Sequence, residues 1–474
     1  MKNKSITSRD VDFAKWYTDV VSAAHLATYS NVKGCIVIEP NGYAIWENVQ
    51  KILDQMLKET GHQNVSMPML IPENLLRKES ELINGFAPEV AWVTEGGSKK
   101  LEERMCIRPT SETLFSDYYS TVIRSYRDLP KKYNQWCSVL RWEKETRPFL
   151  RSREFLWQEG HTVHETQEEA EEETKNMLAI YKKLFEEYLA IPVISGRKTE
   201  KEKFAGAEYT LTIEALMYNG VSLQSGTSHY FGQKFSKAYD ISFLNRNNEM
   251  SHVYQTSWGV STRMIGGLIM VHSDDKGLVL PPRIAPTQVM IIPIKETPKV
   301  IDVCENIADS LKQAGITVKI DRTDKSAGFK FAEAEVNGIP LRIEVGERDL
   351  EQGIITFARR DTSEKINIDY NQDIVSKVQQ LLEEIQNNLY QTALHRQQEL
   401  TFEAHSLDEV KDIMEHHPGF VKAMWCGDEA CELKMKEIKG TKSRCILEQA
   451  SPIDDHCVVC GKKAKHLVVW GIQY

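Results

Sequence analysis

The stretch "LRWEKETRPFLRSREFLWQEGH" (residues 140–161) decides the fold class of this chain. A strand that only built a core would alternate apolar with polar residues and keep its ions outside. Here arginines and glutamates stand between large apolar residues, as if a charged ligand were expected. We predict two antiparallel strands joined by a loop, "KETRPFLRS", with a binding cleft where their charged faces meet.

The side chains of this segment suit a ligand with two kinds of charge. Residues two apart in a strand share a face, so Arg141 lies with Glu143. On the second strand one face is shared by Phe155, Trp157, Glu159 and His161, and the loop adds Arg147 and Arg151. Guanidinium groups bind phosphate or carboxylate oxygens, and carboxylates bind an ammonium or an exocyclic amine. A solvated strand face with cross-strand ion pairs explains the same pattern equally well.

Two further segments favour the cleft. "RPTSET" (108–113) places the carboxylate of Glu112 beside the hydroxyl of Thr110. "SWGVSTRMIGG" (257–267) combines small residues, which let a ligand approach the backbone, with Arg263 at the start of an apolar helix.

Length and composition indicate an ordinary globular protein of several domains. The chain has 474 residues, of which 41% are hydrophobic and 27% charged. No apolar run is long enough to span a bilayer, and the N-terminal residues lack signal-peptide features, so we expect a cytoplasmic protein without membrane association. A net charge of −9 excludes a protein that coats nucleic acid non-specifically, but it allows a local basic surface.

The element pattern predicts an α/β (α+β) fold in three parts. The first part (1–282) is a mixed antiparallel unit, with one helix ending at Gly61 and another opened by a capping box from Thr166 to Glu169. After the Pro-Pro pair at 281–282 the pattern becomes strand–helix–strand, which predicts a second α/β part (283–395) ending in a long helix. The C-terminal part (396–474) holds a group of cysteines, and its aromatic end, "VVWGIQY", is expected to dock on the first part.

These segments resemble the signature motifs of class II aminoacyl-tRNA synthetases. The helix from Tyr43 with "NVSMPMLIP" and Pro68 resembles motif 1, the dimer-interface element. "LRWE" through "EFLWQEGH" resembles motif 2, and "GVSTRMIGGLIMV" resembles motif 3. More narrowly, "RPTSE", "NQWCSVLRWE", "GRKTEKEKFAGAEYT", "GTSHYFGQKFS" and "LPPRIAP" resemble the prolyl-tRNA synthetase family of the archaeal/eukaryotic type. The resemblance covers nearly the whole chain and implies a homodimer with a catalytic, an anticodon-binding and a zinc-binding domain in that order.

The resemblance also implies a reaction. ATP and proline would form prolyl-adenylate and pyrophosphate, and the prolyl group would pass to the terminal adenosine of tRNA(Pro). Positioning and cationic stabilisation dominate such in-line chemistry, so we expect no catalytic nucleophile, acid or base. Family positions place Arg141 on the α-phosphate and the proline carboxylate, and Arg263 on the γ-phosphate. The remaining nucleotide site, with Mg²⁺ bridging phosphates, would comprise Glu143 at the adenine amino group, Arg151 near the outer phosphates, Ser152, Gln224, Thr227 and Ser261.

The proline site carried over from the family combines acceptors with a dry wall. The acceptors for the secondary ammonium are Thr110, Glu112 and Glu159, and the wall is formed by Trp157, His161, Phe204 and His229, although both histidines also fit plain structural roles. A missing methylene is worth only about 1–3 kcal/mol in such a pocket. Because about sixty residues between motifs 2 and 3 leave no room for an inserted editing domain, we predict that alanine or cysteine is activated and not edited in cis.

The second part resembles the anticodon-binding domain of class IIa synthetases, most clearly in "GIPLRIEVGERDLEQGIITFARRD". Arginine approaches guanine acceptors, and carboxylates take base amino protons. The candidates are Arg342, Glu344, Arg348 and Arg360. Charges on a solvated sheet edge explain each of them at least as well.

Two cysteine pairs near the C-terminus predict a structural zinc site. Cys426-x₄-Cys431 and Cys457-x₂-Cys460 make a tetrahedral thiolate cage geometrically easy, and four thiolates leave no open position for catalysis. Free thiols are the alternative, and Cys445 or His456 could replace one ligand. The other cysteines, Cys35, Cys106, Cys137 and Cys304, are expected to be small buried residues.

Three other functions remain to be weighed. A threonyl- or glycyl-specific synthetase would share the motifs but not the proline-type blocks around Trp157 and His229. A catalytically silent paralogue would be expected to lose the three arginines of the ATP site, which are present here. A zinc-centred hydrolase conflicts with a closed cage, and the chain has no GxxxxGK[ST] loop for P-loop chemistry.

Overall fold

The structure is a computed structural model that describes residues 6–82 and 89–474. No helix within these residues is both long and apolar enough to cross a membrane.

The first part surrounds a large antiparallel sheet with helices. Its helices are α1 (Phe13–Ala23), α2 (Pro40–Glu59), α3 (Glu73–Leu82), α4 (Glu112–Val122), α5 (Gln167–Lys183), α6 (Lys234–Ala238) and α7 (Arg263–His272). Its strands are β1 (Ala27–Tyr29), β2 (Ile36–Ile38), β3 (Gln63–Asn64), β4 (Leu70–Pro72), β5 (Trp92–Gly96), β6 (Lys99–Ile107), β7 (Lys131–Leu140), β8 (Glu154–His164), β9 (Val193–Arg197), β10 (Tyr209–Leu216), β11 (Ser222–Gly232), β12 (Ser242–Leu244), β13 (Met250–His252) and β14 (Tyr254–Ser261).

The charged segment forms the predicted antiparallel pair near the β3 edge of this sheet. Strand β7 pairs with β8 so that Cys137 lies opposite Trp157 and Gln135 opposite Glu159. One prediction is wrong: β7 ends at Leu140, so Arg141 lies in the connecting loop. The reason is the loop itself, in which the backbones of Arg147 and Arg151 bond each other in a tight turn.

The helices follow their sequence signals with small differences. Helix α2 begins at Pro40, which suits the first turn, and Gly61 after its end adopts a φ of +84°. The segment after it forms two short strands, β3 and β4. The Thr166 side chain caps α5 by accepting from the Glu169 amide, but the Glu169 carboxylate accepts from Glu165 N, so the capping box is incomplete.

The second part is a five-stranded sheet with helices, as counted in the described residues. It contains β15 (Val289–Pro293), α8 (Pro298–Gln313), β16 (Val318–Ile320), α9 (Ala327–Val336), β17 (Leu341–Val345), α10 (Glu347–Glu351), β18 (Ile354–Arg359), β19 (Lys365–Asp369) and the long α11 (Ile374–Glu399). Parallel pairing of β15 with both β16 and β17 agrees with the predicted alternation, whereas α9 and β19 were not predicted.

The C-terminal part extends the sheet of the first part. It contains β20 (Thr401–Glu403), α12 (Leu407–His416), β21 (Phe420–Trp425), α13 (Glu429–Lys436), β22 (Thr441–Ile446) and β23 (His466–Ile472). The order β20-β21-β23-β22-β9-β10-β11-β14-β8-β7-β3 is continuous within the described residues, with Ile446 pairing to Arg197. The aromatic end docks as expected: the Tyr474 amide donates to Ser222 O, and its hydroxyl accepts from Arg147 at 2.6 Å.

Candidate active site

A cavity of about 310 Å³ opens over the face of β8, β10, β11 and β14. Because residues two apart in a strand share a face, β8 directs Trp157, Glu159 and His161 into the cavity together. The residues predicted for the nucleotide and for proline all line it: Thr110, Glu112, Arg141, Glu143, Arg151, Ser152, Trp157, Glu159, His161, Phe204, Gln224, Thr227, His229, Ser261 and Arg263. The structure therefore brings together residues from five separated segments.

Three arginines reach the cavity, two from the loop between β7 and β8 and one from the start of α7. Arg141 follows β7 and donates from Nε to Pro109 O at 3.0 Å, and its guanidinium lies 5.4 Å from the Trp157 ring centre. Arg263 begins α7 and donates from Nε to Leu150 O at 3.2 Å, in the loop that also carries Arg151. Burial, followed by the charges of Arg141 and Arg151, lowers the pKa of Arg263 to about 10, so the guanidinium is charged at neutral pH.

Two carboxylates that line the cavity are held by several hydrogen bonds. Glu159 is buried and accepts from Gln135 Nε2 at 2.7 Å, from the Ser111 hydroxyl, and from His161 Nε2 at 2.9 Å. Burial alone would raise the pKa of Glu159, but these hydrogen bonds and the His161 charge together lower it, so the group is ionised.

Glu112 is the second of these carboxylates. It accepts from the Thr110 hydroxyl and from Ser257 Oγ at 3.2 Å. Its carboxylate also counteracts the effect of burial on Arg141, whose pKa is lowered chiefly by desolvation. The cavity therefore combines the guanidinium groups of three arginines with the carboxylates of Glu112 and Glu159.

His229 and Phe204 form an aromatic wall of the cavity. His229 Nδ1 lies 2.9 Å from Thr210 Oγ1 and its Nε2 lies 3.1 Å from Thr227 Oγ1, with the Phe204 ring 4.7 Å away. Burial, with the charge of His161 as a smaller cause, lowers the pKa of His229 to about 3, so the ring is neutral and suits an apolar surface.

Sequence reasoning missed several residues that line the cavity or contact the side chains that line it. Cys137 is half-buried instead of a plain core residue, and its sulfur accepts from Trp157 Nε1 at 3.2 Å. Ser111 and Gln135 hold Glu159, and the cavity is also lined by Lys198, directly after β9, and by Thr210 on β10. The segments that resemble the synthetase family include Cys137, Ser111 and Lys198. Their contacts, however, depend on which strands are neighbours in the sheet.

Three of the four predicted anticodon residues, Arg342, Glu344 and Arg348, lie on β17 and α10. Arg342 donates from Nε and Nη2 to Glu344 at 3.0 and 2.9 Å, and it lies 4.5 Å from the Phe331 ring centre. Arg348 is exposed on α10.

Arg360 does not join them. Its guanidinium is buried and donates to both carboxylate oxygens of Asp274, at 2.8 and 2.6 Å, and to Gly277 O. The structure therefore gives Arg360 a contact between the first and second parts of the chain, with its donors already used.

The four predicted cysteines form one compact cluster. The sulfur atoms of Cys426, Cys431, Cys457 and Cys460 all lie within 4.8 Å of one another. Neither alternative ligand belongs to the group: Cys445 lies on β22 against Gly196, and the exposed His456 pairs with Asp454.

Three family models match successive stretches of the chain. A model described as the tRNA synthetase class II core domain (G, H, P, S and T) matches residues 92–272. A model for an anticodon binding domain matches residues 288–381, and one described as prolyl-tRNA synthetase, C-terminal, matches residues 407–474.

Close relatives cover the full length. Proteins called proline--tRNA ligase are 57% identical in Lachnoclostridium phytofermentans and 56% in Clostridium novyi, each over 99% of this chain and 98% of the relative. A crystal structure of prolyl-tRNA synthetase from Cryptosporidium parvum, complexed with halofuginone and AMPPNP, is similar with a TM-score of 0.94 and 41% identity. That match covers 99% of this chain and 96% of the other.

Proposed function

The chain belongs to the proline--tRNA ligases, which are class II aminoacyl-tRNA synthetases, and we propose that it joins L-proline to tRNA(Pro) through prolyl-adenylate. The observation that carries the proposal is the convergence of Arg141, Arg151 and Arg263 on one cavity that also holds buried carboxylates. Such a cavity suits a triphosphate beside a cationic amine.

In the first step the proline carboxylate attacks the α-phosphorus of ATP, and pyrophosphate leaves. Arg141 binds the α-phosphate and the proline carboxylate, which holds the reacting atoms in line. Arg151 and Arg263 bind the outer phosphates and stabilise the charge on the departing pyrophosphate. Glu143 accepts from the adenine amino group, and Ser152, Gln224, Thr227 and Ser261 complete the nucleotide site. ATP enters as its magnesium complex.

Proline occupies the part of the cavity that contains Glu112 and Glu159. Its secondary ammonium donates to Glu112, Glu159 and Thr110, while Trp157 and His229 enclose the ring together with Phe204 and His161. The neutral state of His229 removes a like charge that would repel the ammonium. In the second step the terminal hydroxyl of tRNA attacks the adenylate carbonyl and AMP leaves, with Arg342, Glu344 and Arg348 reading the anticodon.

The cysteine cluster fits a structural zinc ion. Four thiolates at about 2.3 Å from Zn²⁺ in a tetrahedron lie roughly 3.8 Å apart. Cys426 Sγ lies 3.7 Å from both Cys431 Sγ and Cys460 Sγ. When bound, the ion would cross-link β21, α13 and the loop before β23, and its closed shell would supply no catalysis.

The function is tested by exchange of labelled pyrophosphate into ATP, followed by charging of tRNA(Pro). We expect exchange with proline and not with threonine or glycine. Exchange that is independent of proline, or absent with every amino acid, contradicts the proposal.

The proposal includes imperfect amino-acid selection. A snug apolar pocket rejects a smaller side chain by only about 1–3 kcal/mol. Alanine or cysteine should therefore support exchange and accumulate on tRNA(Pro) when the purified enzyme acts alone. Stable charging with proline and rapid loss of alanyl-tRNA(Pro) in the same preparation would contradict this part.

The family supplies three further elements of the proposal. These are a homodimer through the motif 1 elements, a cytoplasmic location, and domain limits at 1–282, 283–395 and 396–474. Analytical ultracentrifugation tests the first of these, with a dimer expected.

A further inference from the structure

A buried charge network joins the C-terminal part to the wall of the cavity. Arg444 on β22 donates from Nε and Nη2 to Glu214 Oε2 at 3.0 and 2.6 Å. Lys198 donates to the other oxygen, Glu214 Oε1, at 2.7 Å. All three side chains are at most 3% exposed, and Lys198 lines the cavity.

A buried charge network of this kind contributes little net stability, because its desolvation cost is high. Burying an ion pair removes two charges from water, and apolar residues of similar volume often serve stability as well or better. Here one carboxylate faces two cations, and Arg444 Nη1 is buried without a hydrogen-bond partner among the described residues. An unpartnered charged donor at this depth suggests a role beyond holding the sheet together.

Glu214 connects this network to the strands of the proposed nucleotide site. Its Oε1 also accepts from Thr212 Oγ1 at 2.8 Å, and Thr212 is the register partner of Thr227. Removing Arg444 would leave Glu214 Oε2 without its two donors, so the carboxylate and the Lys198 ammonium would both shift.

The charge of Arg444 also reaches the far side of the cavity. It contributes to the lowered pKa of Arg263, after burial and the charges of Arg141 and Arg151. Arg444 therefore meets the cavity wall through its contact with Glu214, which also accepts from Lys198, and its charge has a minor effect on the pKa of Arg263.

We propose that Arg444 is a positioning residue for ATP, acting through Glu214 and Lys198 on the wall of the cavity. This inference rests on the proposed function. It gives the C-terminal part an indirect role in nucleotide binding, because Arg444 itself does not line the cavity.

The test compares R444Q and R444K in proline-dependent pyrophosphate exchange. The matched control is R197Q, which removes a part-exposed ion pair to Glu448 at the same β9–β22 junction. We expect R444Q to raise the KM for ATP at least fivefold and the KM for proline less than twofold. R444K, which keeps the charge, should give a smaller increase, and R197Q should match the wild type.

A second comparison separates positioning from folding. If Arg444 acts through Lys198, R444K should have no further effect on the KM for ATP in a K198M background. The comparison of R444K in the wild-type and K198M backgrounds also tests the proposal if R444Q does not fold. A KM for ATP within twofold of wild type in R444K and R444Q, or full additivity with K198M, overturns the proposal. Failure of the proposed function is distinct, because the wild type would then show no proline-dependent exchange.

Discussion

Arg141 and Glu159 show how single residues divide the cavity. Each is fixed by bonds that leave a charged face toward the ligand: Arg141 by the Pro109 carbonyl, and Glu159 by Ser111, Gln135 and His161. Groups fixed in this way before the ligand arrives stabilise developing charge without reorganising. Both signs of charge in one cavity are what the proposed triphosphate and proline ammonium require.

Arg263 provides the first prediction. Arg263→Gln removes a cation from the position proposed for the outer phosphates, so pyrophosphate exchange should fall by about 10²-fold or more. Arg127→Gln, at an exposed position on another surface, is the control and should retain wild-type exchange. A loss of less than threefold in Arg263→Gln, with a normal melting temperature, would remove Arg263 from the site.

His229 provides a prediction about pH. Its pKa is lowered to about 3 because the ring is buried, so it stays neutral throughout the range from pH 5 to 8. The unfolded chain binds a proton at this residue below about pH 6.5 and the folded chain does not, so the His229 contribution makes stability fall as pH decreases from 6.5 toward 3. NMR of ¹³C-labelled histidine should show one resonance, absent in His229→Gln, that does not titrate in this range. Titration near pH 6.5 would contradict the burial argument.

Residue-level prediction succeeded where spacing carries the information. The two-residue period of a strand predicts from the sequence alone that Trp157, Glu159 and His161 lie on one face. Lys198 and Gln135 were missed because their roles depend on which strands are neighbours, and that register joins distant segments.

At the scale of elements, α5 is tied to the sheet by a buried ionic group. Glu173 accepts from His62 Nε2 at 2.7 Å and pairs with Lys132 Nζ at 2.6 Å. Burial alone would raise the pKa of Glu173, but these two partners lower it to about 2. The contact fixes α5 against β7 and the turn after α2, behind the strands that carry the cavity.

Glu173→Gln should therefore lower the free energy of unfolding. A shift from 4.5 to about 2 corresponds to about 3 kcal/mol at pH 7. Because the folded pKa lies below the unfolded one, this contribution is present above pH 4.5 and is lost as pH falls toward 2. Urea unfolding at pH 7 and pH 4 measures the change. Glu172→Gln, at the exposed neighbouring position, is the control, and equal effects of the two substitutions would contradict the prediction.

Element boundaries illustrate why local signals fall short. Gly61 and Thr166 marked helix ends correctly, because turn conformation and capping are local properties. The end of β7 at Leu140 is set by the loop between Arg141 and Arg153, whose backbones bond each other across the turn. The sequence gives no periodic signal for such a contact.

At the scale of the whole molecule, the three parts are joined by specific contacts instead of simple linkers. Arg360 holds Asp274 just after α7, and β22 continues the sheet from β9. The order of the parts was predictable from changes in periodicity. The continuous sheet was not, because β9 and β22 are about 250 residues apart in sequence and pair at a single register position, Ile446 with Arg197.

The cysteine cluster gives the prediction at this scale. The purified protein should contain one zinc ion per chain, and Cys460→Ser should lower both the zinc content and the melting temperature, because bound metal stabilises only the folded state. Cys35→Ser, outside the cluster, is the control. Full zinc content in Cys460→Ser, or none in the wild type, would contradict the assignment.

The most direct measurement is a crystal structure of the protein with a non-hydrolysable prolyl-adenylate analogue. We predict that the phosphate mimic lies within hydrogen-bond reach of Arg141, with the pyrrolidine ring between Trp157 and His229 and its nitrogen on Glu112 or Glu159. An analogue bound outside this cavity, or bound there while Arg141, Arg151 and Arg263 all point elsewhere, would contradict the account.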